Sequence, residues 1–313
     1  MYLFYESNCY WEIDYITKTL LKDINFNIKF FDTQEIRNIN IFLNLLNNID
    51  CNIDSNRLDK KDNIINNNII VFGSNSEYPS DNLEDYKIYP IIELIKPRII
   101  IHLSDEWGNK PALNELGRNS NLLLLRQYSH PNYSNISKGN NILQIPLGYM
   151  HDMFENDFEK IQIKKSSERE IKWSFIGNIK QDRLEMINEF ACLTPNIVKK
   201  GEPVEMREIY RNSVFVPNGR GNKSLDCFRI YEAVLCGAIP IIVSENNQEF
   251  KETFSGMDNP PFLYCNSWKE ALGVCKFLFS NPDILNKEQE KLLNWWTNYI
   301  LKLRNIIKNN LLI

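Results

Sequence analysis

Apolar residues in this chain fall into short runs separated by longer mixed stretches, and the make-up of those runs is the first structural signal. Tyr2 to Tyr5, Phe26 to Phe31, Ile69 to Phe72, Arg98 to Leu103, Asn121 to Arg126 and Ile142 to Ile145 are rich in β-branched and aromatic residues and predict one set of strands. Lys172 to Ile176, Asn196 to Lys199, Val214 to Val216, Ile239 to Val243 and Pro261 to Tyr264 predict a second set. Helical patterns separate most of these runs, so the expected class is α/β, with parallel sheets and crossover helices. Between the two sets, Glu155 to Glu170 is charged and poor in aromatic residues after Phe158, which places a domain boundary there. The expected domains are 1–160, 161–285 and a terminal helix, 286–313, that packs back on the first domain. Leu292, Leu293, Trp296, Ile300 and Leu301 supply the near-helical spacing of that last segment. Asn47 to Asn68 is dominated by Asn, Asp and Lys and reads as a surface loop or insertion.

The densest signal is Val214 to Glu245, VFVPNGRGNKSLDCFRIYEAVLCGAIPIIVSE, which holds a strand, a polar loop, a helix and a second strand. Ser224 or Asp226 is a candidate cap for the helix, and Gly237 supplies a left-handed exit from it. A helix that starts at the carboxyl end of a strand, close to Asn218, Arg220, Ser224 and Arg229, suits an anion such as a diphosphate. A matching junction follows Trp173-Ser174-Phe175-Ile176, with Gly177, Asn178, Gln181, Asp182 and Arg183. Two such junctions at one sheet edge can hold the diphosphate of a nucleotide sugar, with Arg183 and Arg229 making charge-assisted contacts. The plainer alternatives are surface pairs of Arg183 with Asp182 or Glu185, and of Arg229 with Glu232.

Two commoner phosphate motifs fail. Gly219 to Ser224 has Asn222 where a P-loop needs its second Gly, and no strand leads into GxGxxG. No Asp-x-Asp occurs either, so no metal-bridged nucleotide site of that kind is expected.

In the first half, the strand ending at Leu103 runs into Ser104-Asp105-Glu106-Trp107-Gly108. Asp105 or Glu106 is the candidate general base, with a helix cap as the structural alternative for either. Among three histidines, His102 reads as a core residue, whereas His130 and His151 follow strands and join Arg126, Tyr128 and Tyr149 as acceptor-side or cleft candidates. No histidine pair has metal-ligand spacing, and the expectation is no metal.

The net charge of −4 and the lack of a long basic run argue against a nucleic-acid partner. The opening MYLFYESNCYWEIDY lacks a basic n-region, and the longest apolar runs are strand-sized, so neither a signal peptide nor an integral membrane span is expected. Seven cysteines without CxxC pairing fit reduced thiols and a cytoplasmic location.

The run from Phe228 to Ser244, with Arg229, Glu232, Gly237 and Pro240 in that order, resembles the donor-site segment of exostosin-like glycosyltransferases, glycosyltransferase family 47 and its relatives. Phe175-Ile176-Gly177 with Arg183 resembles the other donor-side element of that family, and His102 to Gly108 with Arg126-Gln127-Tyr128 is similar to its ribitol xylosyltransferase branch. The resemblance implies a GT-B fold: two Rossmann-like domains facing a cleft, with a nucleotide sugar, UDP-linked, as substrate and no obligatory metal or cofactor. It further implies Arg183 and Arg229 on the donor phosphate, Glu232 on the ribose, a glycan acceptor, and inversion at the anomeric carbon. The competing expectations are a fucosyltransferase-like enzyme, an epimerase on the same scaffold, and a glycan- or nucleotide-binding protein without activity.

Overall fold

The computed structural model describes residues 1–33, 68–73, 80–119, 122–130, 141–154, 162–180 and 182–312. All eleven expected strands form within it: β1 (Tyr2–Glu6), β2 (Asn27–Phe31), β3 (Ile69–Gly73), β4 (Ile99–Leu103), β5 (Leu123–Arg126), β6 (Ile142–Gln144), β7 (Ile171–Ile176), β8 (Asn196–Lys199), β9 (Ser213–Asn218), β10 (Ile239–Val243) and β11 (Leu263–Cys265). The first six build one sheet in the order β2-β1-β3-β4-β5-β6, and the last five build another in the order β11-β10-β9-β7-β8. Every strand pair is parallel.

Both orders share one consequence. Each sheet grows outward in two directions from its first strand, so the chain switches sides between β1 and β3 and again between β7 and β9. At such a switch point the connections leave toward opposite faces and open a crevice outside the carboxyl ends of the strands, where open α/β sheets bind ligands.

The helices are α1 (Tyr89–Ile95), α2 (Leu113–Asn119), α3 (Asp182–Phe190), α4 (Pro203–Asn212), α5 (Phe228–Leu235), α6 (Asn247–Phe254), α7 (Trp268–Phe279) and α8 (Pro282–Leu312). A π-helical segment, Tyr15–Leu20, lies near the start. Contacts divide the chain into two compact units: Met1–Tyr10 with Asp23–Ile145 and Arg304–Ile313, and Trp11–Lys22 with Pro146–Leu303. Of the charged segment read as a boundary, residues 155–161 lie outside the described residues, as does all of the Asn-rich segment except Asn68. The Asn68 side chain accepts the Tyr2 amide at 3.0 Å and so sets the start of β1 beside β3.

In the first unit Phe4, Ile70, Phe72, Ile100, Leu124 and Ile142 pack beneath Ile91, Ile92, Ile95 and Leu113 of α1 and α2. All five residues of β4 are buried, which is why that strand reads as an unbroken apolar run. In the second unit the Trp173 ring meets Phe190 at 5.6 Å and Phe190 meets Trp268 at 6.2 Å, tying β7, α3 and α7 together.

Two local expectations change. Neither Ser224 nor Asp226 caps α5: its N-cap is Cys227, which makes no side-chain cap bond, because Ser224 Oγ accepts the Asp226 amide and Asp226 accepts the Tyr231 hydroxyl. The terminal helix starts at Pro282, and its buried stripe is Leu285, Leu292, Trp296, Tyr299, Ile300, Leu303 and Ile307, with Leu301 turned outward. The exit at Gly237 is as expected. Its φ is +73°, and bonds from Gly237 N to the Val234 carbonyl and from Ala238 N to the Ala233 carbonyl close α5 in a Schellman turn. Buried Arg169 steadies the same end by donating to the carbonyls of Tyr210, Ser213 and Cys236 at 3.1, 2.8 and 2.9 Å.

Candidate functional site

The β7/β9 switch point of the second unit gathers the residues that the sequence marks for anion binding. Gly177 and Asn178 follow β7, Asn218 ends β9, and Gly219 and Arg220 follow it. Arg183, only 4 % exposed on α3, reaches across both loops. Its Nη1 donates to the Asn178 carbonyl at 2.7 Å and its Nη2 donates to the Arg220 carbonyl. Arg220 forms a forked pair with Glu249 at 2.5 and 2.6 Å, and Ser244 Oγ donates to the same carboxylate. These bonds hold the Glu249 carboxyl below its ordinary pKa. A recess of about 400 Å3 lies beside this pair, lined in part by Ser244, Asn246, Asn266 and Trp268.

Arg229 is differently placed. On the first turn of α5 it donates from Nη2 to the Gly219 carbonyl at 3.2 Å, while its Nε–H has no acceptor among the described residues. Its guanidinium lies 5.2 Å from the centre of the Phe175 ring, and that of Arg183 lies 5.7 Å from the same ring. A neutral aromatic face thus supports two like charges at one strand end. The surface pairs weighed for these arginines do not form with Glu185 or Glu232 as bonded ion pairs among the described residues. Of three arginines expected to face a phosphate, Arg183 is held through both Nη atoms and Arg220 through its fork to Glu249, whereas Arg229 is held through Nη2 alone among the described residues. Asn218 is buried, its Oδ1 facing the Cys227 thiol at 2.8 Å and its Nδ2 donating to Leu225, which stitches the loop to the uncapped start of α5. Ser224 is committed to the Asp226 amide.

Glu232, one turn along α5 from Arg229, is 0 % exposed. One carboxylate oxygen accepts the Met150 amide at 3.3 Å and the other has no partner among the described residues. Burial outweighs that bond and the nearby Arg229 charge and raises its pKa from 4.5 to about 7. The folded state therefore takes up a proton more readily than the unfolded chain. Its contribution to stability is complete below pH 4.5 and is lost as pH rises through about 7. Glu232→Gln should flatten this part of the stability-versus-pH curve, measured by urea unfolding between pH 4.5 and 7.5. An unchanged slope would mean that Glu232 does not carry the raised pKa.

Met150 belongs to a segment that also carries two residues expected on the acceptor side. Tyr149 is buried against the rings of Tyr15 and Phe154, with its hydroxyl bonded to Thr19. His151 lies 3.0 Å from Asp14, which also pairs with Lys18 at 2.9 Å and accepts the Asp152 amide. Both residues fall in the second unit. Asp14, His151 and Asp152 bring potential ligand atoms within 4.8 Å of one another, a grouping that sequence spacing alone does not reveal.

In the first unit Asp105 is 2 % exposed and Arg126 is 0 % exposed, and they form an ion pair at 3.1 Å. Asp105 also accepts the amides of Asn109 and Lys110, and Arg126 donates to Asn114. Arg126 is thus an interior strut and not a surface contact. Glu106, the next residue, is half-buried. His102 is fully buried between these charges and its pKa falls to about 3, first through burial and then through Arg126, so it stays neutral. Ser104 (φ +58°), directly after β4, and Tyr128 (φ +51°), two residues past β5, are both left-handed, and such non-glycine strain collects at functional sites. His130 is half-buried with its ring against Gly108.

Sequence reading missed Glu6. It ends β1 at the switch point of the first sheet, accepts the Gly73 amide at 2.8 Å and bonds the Thr33 hydroxyl. Only the strand order reveals its place. Lys110, also unnoticed, is buried over the Tyr86 ring at 4.4 Å, and burial lowers its pKa to about 8.

No family model matches this sequence, and no curated protein matches it. Among solved structures, HepE of Anabaena, determined with UDP and glucose, aligns over 99 % of this chain and 99 % of its own at 11 % identity and a TM-score of 0.50. An O-GlcNAc transferase mutant from Thermobaculum terrenum aligns over 99 % of this chain and 66 % of its own at 9 % identity and 0.48. A glycosyltransferase from Rickettsia africae covers 99 % and 98 % at 13 % identity and 0.46. Two parallel α/β units and the likeness to HepE show that the chain has the GT-B fold. No helix among the described residues is long and apolar enough to cross a membrane.

Proposed function

We propose that this protein is a glycosyltransferase of the exostosin-like kind that moves a sugar from a UDP-linked donor to a glycan hydroxyl, with inversion and without a metal. The observation that carries the reading is Arg229: a guanidinium whose Nε–H has no acceptor among the described residues, braced on Phe175 beside the uncapped start of α5, at the β7/β9 switch point. HepE, which shares the fold, is bound to UDP and glucose in its structure.

In the proposed reaction the acceptor oxygen attacks the anomeric carbon and loses its proton to Glu106. The bond from that carbon to the diphosphate breaks on the opposite side, and the diphosphate leaves with the electron pair. Arg229 and the α5 amino terminus stabilise the charge that develops there. Gly177 and Asn178 line the phosphate junction, and the Glu232 oxygen without a partner among the described residues accepts from the ribose. Asp105 holds Arg126 and the loop that carries Glu106.

Incubating the protein with a panel of UDP-sugars and no acceptor tests this. A transferase releases free sugar and UDP slowly, which mass spectrometry detects. UDP binding with no release would favour a binding protein, and conversion of one UDP-sugar into another would favour an epimerase.

A further inference from the structure

Arg220 is held at both its backbone N–H and its backbone carbonyl by the first two residues of one helix. Its amide donates to Asp182 Oδ2 at 3.1 Å, and its carbonyl accepts from Arg183 Nη2. The other arm of Arg183 holds the Asn178 carbonyl at 2.7 Å, so the loops after β7 and β9 are tied through one side chain. Lys180 Nζ adds a third link, to Asn222 Oδ1 at 2.7 Å. The approach is close enough that a Cβ on Gly219 would lie 2.6 Å from Arg183 Cγ. Gly219, in turn, is the residue whose carbonyl receives Arg229 Nη2.

We propose that Asp182 and Arg183 form a clamp that sets the spacing of the two loops and thereby aims Arg229 at a nucleoside diphosphate. Arg183 is then a positioning residue and not a second phosphate ligand. This rests on the proposed nucleotide site and adds a sign that the site alone does not predict. Asp182 is an anion beside an anion site. If charge alone mattered, its removal would tighten diphosphate binding. As part of the clamp, its removal lets the Gly219–Arg220 loop drift and Arg229 with it, so binding weakens through lost preorganisation.

Calorimetric titration of UDP into the full chain separates the two. Asp182→Ala should weaken UDP about tenfold, the scale of one lost ordering contact, whereas Asp182→Asn should stay within about threefold because its amide oxygen still accepts the Arg220 N–H. Arg183→Ala should weaken binding at least as much. The double variant should be within about twofold of the weaker single, because both act through Arg220. Hydrogen exchange at the Arg220 amide without nucleotide should quicken in Asp182→Ala, and thermal melting checks that each variant is folded. Unchanged or tighter UDP binding in folded Asp182→Ala overturns the clamp, even if exchange quickens, and so do additive losses. Absence of UDP binding by the unaltered chain overturns the functional reading and the clamp together, a result distinct from normal binding that is insensitive to Asp182.

Discussion

Replacing Arg229 by Ala should lower kcat/KM for a UDP-sugar by about 30- to 1000-fold, the equivalent of roughly 2 to 4 kcal/mol of transition-state stabilisation, as for other preorganised charge stabilisers. The size follows from placement. Arg229 is the one of three arginines at the junction whose side chain is held through a single bond among the described residues, and the Phe175 ring beneath it keeps the guanidinium in place before substrate arrives. Little reorganisation is then needed as negative charge builds on the leaving diphosphate. Arg229→Lys should recover only part of the loss, since an ammonium keeps the charge but cannot present a planar fork while stacked on a ring. Steady-state turnover of the preferred UDP-sugar, with acceptor saturating, is the measurement. Turnover within about twofold of the unaltered protein would remove Arg229 from the site.

The second large effect separates two adjacent carboxylates. Asp105→Asn breaks an ion pair whose partner, Arg126, is 0 % exposed and sits beside a neutral, buried His102. Breaking a buried pair from one side leaves an uncompensated charge and costs about 3 to 5 kcal/mol. Glu106→Gln, at a half-buried loop position, should change stability by less than about 0.5 kcal/mol and yet lower turnover about 100- to 10,000-fold if Glu106 is the base. Urea unfolding and turnover measured on both variants decide it. A stable, inactive Asp105→Asn beside an active Glu106→Gln would reverse the assignment.

The strands were legible because each is a compact β-branched or aromatic run, and the alternation with helices told parallel from antiparallel sheets. The exit of α5 was legible because Gly237 must adopt a positive φ. Its entry was not, since Ser224 and Asp226 have capping side chains but closer partners in Asp226 N and the Tyr231 hydroxyl. That Gly177, Arg183, Gly219 and Arg229 lie at two βα turns of one sheet was readable from the sequence. Which guanidinium is least engaged was not readable: the carbonyls of Asn178 and Arg220 and the Glu249 carboxylate hold the other two, and no spacing rule shows a carbonyl. Asp105 and Glu106 are inseparable in sequence for the same reason, because Arg126 lies 21 positions from Asp105 and meets it only after β4 and β5 pair. Glu6 was invisible until the strand order put β1 next to β3.

The central claim, that the β7/β9 junction of the second unit binds a nucleoside diphosphate through Arg229, is tested most directly by titrating UDP calorimetrically into the unaltered chain and into Arg229→Ala. The prediction is one site per chain, with affinity at least about 30-fold weaker in the variant, the binding counterpart of a loss of about 2 kcal/mol, and with the variant still folding cooperatively by thermal melting. Equal UDP affinity in the two proteins would contradict the claim.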